Sequence, residues 1–121
     1  MSPALLSPNE VAVLAETSNS VVEKALEQRV LRAQGGRSAG RRLLPLHAVA
    51  LAAAVKSLGR RLTVNDKKLV ARKLATLSTA ALKTAEIEVA PAVVLHVGSL
   101  AREAVERAER YTRNRDDFIE Q

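Results

Sequence analysis

From Leu46 to Leu58 the chain reads Leu-His-Ala-Val-Ala-Leu-Ala-Ala-Ala-Val-Lys-Ser-Leu, a helical pattern that is apolar nearly all round and is closed by Gly59. A helix of that kind offers water no face, so other elements must cover it. The run is shorter than the roughly 18 apolar residues that a membrane span requires, and no other stretch reaches that length. The remainder of a 121-residue chain therefore has to wrap this helix, as a single domain or a domain with an appendage. Of the apolar residues 21 are Ala, which makes the core thin for its length. The start, Met1-Ser-Pro-Ala, lacks the charged-then-apolar pattern of a signal peptide. There is no Cys, so disulfides, thiolate metal sites and a Cys nucleophile are excluded, and a reducing cytoplasmic setting is expected.

The elements before the central helix carry clear start signals. Ser7-Pro8-Asn9-Glu10 combines a cap, a proline suited to the first helical position and a glutamate able to return a hydrogen bond to the cap. A short helix is predicted to about Ala15, with Val11, Leu14 and Ala15 inward. Ser18 is the next cap, opening a helix from Asn19 to about Gln28 with Val21, Val22, Ala25 and Leu26 apolar. About three residues separate the two helices, which forces a sharp turn. The spacing of Ala12, Ser18, Val22 and Leu26 is that of a helix-turn-helix.

Residues 29–45 read as a hairpin. Val30 and Leu31 lead into a first strand, Leu43 and Leu44 lie on the return strand, and Gly35, Gly36 and Gly40 form the tip. A basic hairpin directly after a helix-turn-helix is a wing. Beyond the central helix, Thr63-Val-Asn-Asp66 is a further capping signal, for a helix to about Leu77 with Val70, Leu74 and Leu77 at helical spacing.

Charge is segregated along the chain. The overall formal charge is +6, but residues 29–77 alone carry +11, residues 1–28 carry −3 and residues 78–121 carry −2. A basic block between acidic ends suits a polyanion-binding surface, with a merely solvated face as the alternative. Aromatic residues are missing from the block, which argues for duplexes over single strands, since the latter are held on stacking platforms.

After Ser78 the pattern changes. Ile87, Val89, Val93, Val94, Leu95 and Val97 are the densest β-branched stretch, broken at Pro91, and predict one or two short strands across 86–97. Ser99 then caps a long helix to about Asp116. Leu100, Ala104, Ala108 and Tyr111 form its stripe, and Glu103/Arg107, Glu106/Arg110 and Glu109/Arg113 form i,i+4 pairs. Such a strand and helix need a partner surface. Homodimerisation through Val93, Val94, Leu95, Val97, Leu100, Ala104, Ala108 and Tyr111 is expected, with packing back on the core as the alternative.

The expected fold is thus mainly α with small β: a winged helix-turn-helix with supporting helices over residues 1–77, then a strand-plus-helix dimerisation segment over 78–121. The run Leu6-Ser-Pro-Asn-Glu-Val-Ala-Val-Leu-Ala-Glu-Thr-Ser-Asn-Ser-Val-Val-Glu-Lys-Ala-Leu26, with Arg42-Leu-Leu-Pro-Leu-His-Ala-Val-Ala-Leu51, resembles a MerR-like winged helix-turn-helix. With Leu62-Thr-Val-Asn-Asp-Lys-Lys-Leu-Val-Ala-Arg-Lys-Leu74, a valine-rich strand and a helix ending Arg115-Asp-Asp-Phe-Ile-Glu-Gln121, the chain is similar to the N-terminal half of VapB-type antitoxins. The resemblance implies a bacterial type II toxin-antitoxin system, with a cytoplasmic, dimeric, DNA-binding autorepressor that neutralises a VapC-like toxin ribonuclease. It also implies that the chain is a fragment, since such antitoxins continue into a second domain. Two departures stand out. Glu16 occupies the turn position that is commonly Gly, and the recognition helix carries Glu23 and Glu27 against Lys24.

Operator duplex would be read by Ser18, Asn19 and Ser20 at the second helix's start, together with Lys24. Arg29, Arg32, Arg37, Arg41 and Arg42 would hold the phosphates. An alternative is a protein-interaction module without sequence-specific DNA binding, which Glu16, Glu23 and Glu27 favour. No catalytic residues, metal ligands or cofactor are expected. There is no HExxH, no phosphate-binding glycine loop and no nucleophile elbow, and His47 and His96, each inside an apolar run, read as satisfied core histidines.

Overall fold

A computed structural model describes residues 5–33 and 42–120, with side chains through Arg115. The described residues are mainly helical, with two small antiparallel sheets. In order, the elements are β1 (Leu5–Leu6), α1 (Pro8–Leu14), α2 (Asn19–Glu27), β2 (Leu44–Pro45), α3 (His47–Leu58), a 3-10 turn (Gly59–Arg61), α4 (Val64–Leu74), α5 (Thr79–Leu82), β3 (Ile87–Ala90), β4 (Val93–Leu95) and α6 (Val97–Glu120).

As its composition requires, α3 is the central helix. Every residue from Ala48 to Ala54 is buried, and α1, α2, α4, α5 and α6 all pack against it. The capping signals of α1 and α4 act as the sequence predicts, whereas Ser18 makes no side-chain cap on α2. Ser7 N–H donates to Glu10 Oε1 at 2.8 Å while Glu10 N–H donates to Ser7 Oγ at 3.1 Å. Thr63 and Asp66 form the same reciprocal pair at the start of α4.

The ends of α1 and α2 are built alike. Thr17 N–H bonds Ala12 O and Glu16 N–H bonds Val13 O, while Val30 N–H bonds Ala25 O and Arg29 N–H bonds Leu26 O. Each helix therefore closes in a Schellman turn, with Glu16 (φ 57°) and Arg29 (φ 59°) in the left-handed position that favours glycine. The restricted residue expected at the sharp turn does adopt the strained conformation.

Several expectations are corrected. Val30 and Leu31 do not form a strand. Their N–H groups both return to Ala25 O, and their side chains are buried in the core. Leu44, on the predicted return strand, pairs instead with Leu6 of β1, in register Leu5↔Pro45 and Leu6↔Leu44. The predicted tip, with Gly35, Gly36, Arg37, Gly40 and Arg41, lies outside the described residues. α4 ends at Leu74 rather than near Leu77, and Ser78 caps the unforeseen α5 through Ala81 N–H at 3.2 Å. The break at Pro91 is a hairpin turn between β3 and β4, with Ala92 at φ 63° and the register Ile87↔Leu95, Glu88↔Val94.

The largest correction concerns α6. It begins at Val97, two residues before the predicted Ser99 cap, and its apolar side faces α3 of the same chain. Val97, Ala101, Ala104, Val105 and Ala108 are buried there. Ala104 and Ala108 of the predicted stripe are buried as expected, but Val97, Ala101 and Val105 complete it, while Leu100 and Tyr111 lie at its edges, partly exposed. Val97, Ala104 and Ala108 are thus spent on the chain's own core, and residues 78–108 share one hydrophobic cluster with the N-terminal elements. Gly98 makes this seat possible. A Cβ there would lie 2.6 Å from Lys83 O and 2.7 Å from Ala85 N, and Gly98 N–H donates to Ala85 O at 2.9 Å.

None of the three predicted i,i+4 pairs on α6 forms. Arg102 pairs with Glu106, and Glu109 reaches Lys83 across to the end of α5 at 2.5 Å. Arg107 sends Nε and Nη2 to Leu14 O at 3.1 and 2.9 Å, with Nη1 3.6 Å from Glu16. It therefore satisfies an orphan carbonyl at the C-terminus of α1. Arg115 binds Leu5 O at 3.0 Å and Glu10 at 3.3 Å, and lies 5.7 Å from the centre of the Tyr111 ring. Tyr111, expected at a dimer interface, donates its hydroxyl to Glu10 within the chain.

Candidate nucleic-acid interface

The residues of interest lie on and just beyond α2. Its apolar positions dictate the orientation: Val22 is buried, with Val21, Ala25 and Leu26 half-buried, so Ser18, Asn19, Ser20, Lys24 and Glu27 are left exposed. Ser18 has the extended backbone of a cap (φ −83°, ψ 153°) but does not cap with its side chain. Its hydroxyl lies 2.9 Å from Ser20 Oγ. The N–H groups of the first turn consequently receive no side-chain acceptor from Ser18, and the positive end of the α2 dipole faces outward.

The acids on this helix divide. Glu23 is held by Arg42 Nη2 at 2.6 Å, an exposed ion pair worth at most about 1 kcal/mol. Its effect on the field is larger than its effect on stability, because it cancels one acid of the helix with one predicted phosphate ligand. Glu27 has no cation within 4 Å among the described residues.

Beyond α2 the left-handed turn at Arg29 swings the chain so that Arg29 and Arg32 face α4. There they join Lys68 and Arg72 around an open cleft of about 480 Å³, floored by Val30, Ala71 and Ala75, with His47 at the first turn of α3. Lys68 and Arg72 are one helical turn apart and so project from the same side of α4. No carboxylate lies within 4 Å of these four cations among the described residues. Burial lowers the His47 pKa below its usual value, so at neutral pH the ring is an uncharged donor and acceptor among cations. The arrangement can receive an anion of two or more charges.

The sequence pointed to Arg29 and Arg32 but not to Lys68 or Arg72, and it placed His47 in the core, whereas His47 is half-buried at the cleft. The signal was present in the i,i+4 spacing of Lys68 and Arg72, but which side of α4 meets Arg29 depends on the left-handed turn. Ser18, Asn19, Ser20 and Lys24 are exposed as expected, while Arg37 and Arg41 lie outside the described residues. His96, expected in the core, is exposed with Nδ1 3.3 Å from Glu86 Oε1.

Among the described residues no group of three or more His, Cys, Asp or Glu side chains could hold a metal ion, and no helix is long and apolar enough to cross a membrane. No protein family, curated protein or solved structure matches the chain.

Proposed function

We propose that the protein binds duplex DNA through a winged helix-turn-helix, in the manner of an antitoxin that represses its own operon and neutralises a VapC-like toxin ribonuclease. The observation that carries the DNA-binding part is the acid-free cluster of Arg29, Arg32, Lys68 and Arg72 directly beyond α2. In this reading α1 and α2 are the helix-turn-helix. The exposed first turn of α2, with Ser18, Asn19 and Ser20, enters the major groove, where Asn19 is suited to an adenine edge. The cluster holds phosphates on one flank, and Arg37 and Arg41 hold them from the wing. The antitoxin role rests on the sequence resemblance, and it sets the protein in the cytoplasm beside its operon.

The test is a gel shift with the duplex upstream of the gene, a scrambled duplex and the corresponding single strand. The upstream duplex is expected to bind tightest and the single strand weakest. Equal binding of all three, or none, overturns the reading. Replacing Arg37, Arg41 and Arg42 together by Ala is expected to weaken duplex binding without unfolding the chain, and unchanged affinity removes the wing from the interface.

A second reading, an interaction module that assembles with a second copy or a toxin, is favoured by one observation. Val93 and Val94 on β4 and Leu100 on α6 keep 49, 44 and 39% of their surface exposed. Light scattering distinguishes the two cases: a dimer lost on Val93→Ser/Val94→Ser supports this surface, and a monomeric chain excludes the homodimer.

A further inference from the structure

A second concavity, separate from the cationic cleft, opens between α2, α3 and the 3-10 turn that precedes α4. It measures about 600 Å³, inside the range of roughly 300–1,000 Å³ typical of small-molecule sites. Its floor is apolar: Val22, Leu31, Leu51 and Ala52 are almost wholly buried, and Val55 and Leu62 complete it. Ala25 of α2 and Ala52 of α3 are both in its walls, where their short side chains take up little of the space. The alanine-rich composition thus leaves a gap as well as a thin core.

The mouth has the opposite chemistry. Lys24 of α2, Lys56 of α3, Arg60 of the 3-10 turn and Lys67 of α4 line it, and no carboxylate belongs to its lining. None of the four has a carboxylate within 4 Å among the described residues. Long cationic side chains lay their methylenes along apolar walls and keep their heads at the water boundary. An occupant has to match both parts. A nucleic-acid backbone satisfies the rim but leaves the floor wet, and a neutral hydrocarbon fills the floor but brings no negative charge to the rim.

We infer that this groove binds a small amphiphilic anion, a single carboxylate or sulfonate on an apolar body, with the body against Val22, Leu51, Ala52 and Val55 and the acid among Lys24, Lys56, Arg60 and Lys67. The inference does not depend on the DNA-binding reading. If both hold, α2 is a wall of the groove and the interface at once, so ligand and DNA change each other's affinity by the same factor.

The experiment titrates the full chain with decanoate below its micelle concentration, with decanol and decylammonium as comparators, followed by backbone amide NMR. Saturable shifts are expected at Val22, Leu51, Ala52 and Val55, with decanoate bound about tenfold or more tighter than decylammonium. Lys56→Gln/Arg60→Gln is expected to weaken decanoate severalfold and leave decanol unchanged. Ala25→Leu, on the less buried wall, is expected to block all three ligands, and Ala52→Leu repeats the test from the other wall, with thermal melting reporting that each variant is folded. The proposal is overturned by non-saturable shifts, by equal affinity for the anion and the cation, or by undiminished decanoate binding to a folded Ala25→Leu or Ala52→Leu protein.

Discussion

Arg107 and Arg115 on α6 end on Leu14 O, Leu5 O and the carboxylates of Glu16 and Glu10. Arg29, Arg32 and Arg72, with Lys68, end in a cleft that holds no acid. The first group comes from a net acidic segment and staples the N-terminal elements to the last helix. The second comes from the basic block and stays unpaired among the described residues. Clustering like charges costs folding free energy, and no carboxylate among the described residues lies within 4 Å to offset that cost. The same residue type is therefore a structural fastener on one side of the molecule and an unpaired cluster on the other, which the proposed function assigns to phosphates. Local net charge along the sequence foreshadows the difference, because only the acidic segments bring partners with them.

The comparison breaks most easily on the stapled side. Gly98→Ala is expected to cost about 3 kcal/mol or more, because backbone atoms at 2.6–2.7 Å must retreat and α6 with them. A melting temperature within a few degrees of the parent refutes the seating of α6. Arg107→Ala should cost about 1–2 kcal/mol by orphaning Leu14 O, whereas Arg29→Ala, Arg32→Ala or Arg72→Ala should leave the denaturation midpoint unchanged or raised. Equal losses on both sides erase the distinction. Glu16→Gly should stabilise by about 0.5–1 kcal/mol, since it relieves the left-handed conformation and gives up only an exposed contact with Arg107. A destabilised variant makes the Arg107 contact worth more than the strain.

The smallest effects are in pH. Burial alone raises the Glu10 pKa, but hydrogen bonds from Ser7 and Tyr111 and the charge of Arg115 outweigh it, so the folded value lies below the usual one. The unfolded chain then binds the proton first, and this contribution to stability is present above the ordinary carboxylate pKa and fades as pH falls through the folded value. Glu10→Gln should flatten the acid limb of the stability curve. His47 has a lowered pKa from burial, so its contribution is present above the ordinary histidine range and declines as pH falls below it. His47→Gln should remove that slope near pH 6, the usual His range. Unchanged curves refute the two assignments.

Much of the fold was legible in the chain. The apolar run at Leu46–Leu58 dictated a central helix, and Ser7/Glu10 and Thr63/Asp66 marked helix starts through hydrogen bonds that need only local geometry. What was not legible depended on distant partners. Leu44 pairs with Leu6 and not with Val30, because Arg29 adopts a left-handed turn that commits Val30 N–H to α2. The inner stripe of α6 was legible only at Ala104 and Ala108, because Ala101 and Thr112 face the core while Leu100 and Tyr111 lie at its edge, and helical spacing alone does not rank them. Of the candidate interface, the exposed start of α2 was legible, whereas the meeting of Arg29 with Lys68 and Arg72 required the tertiary fold.

Under the proposed function the cations of Arg29, Arg32, Lys68 and Arg72 hold the phosphates of a duplex. Its most direct test is the salt dependence of duplex affinity, measured by fluorescence anisotropy, for the parent and for the Arg29→Ala/Arg32→Ala/Lys68→Ala/Arg72→Ala variant. Each lost phosphate contact should flatten the slope of log K against log salt by about 0.9, so with four cations removed the two slopes should differ by roughly 3.6 units while the variant melts at or above the parent temperature. Parallel slopes for two folded proteins would contradict the account.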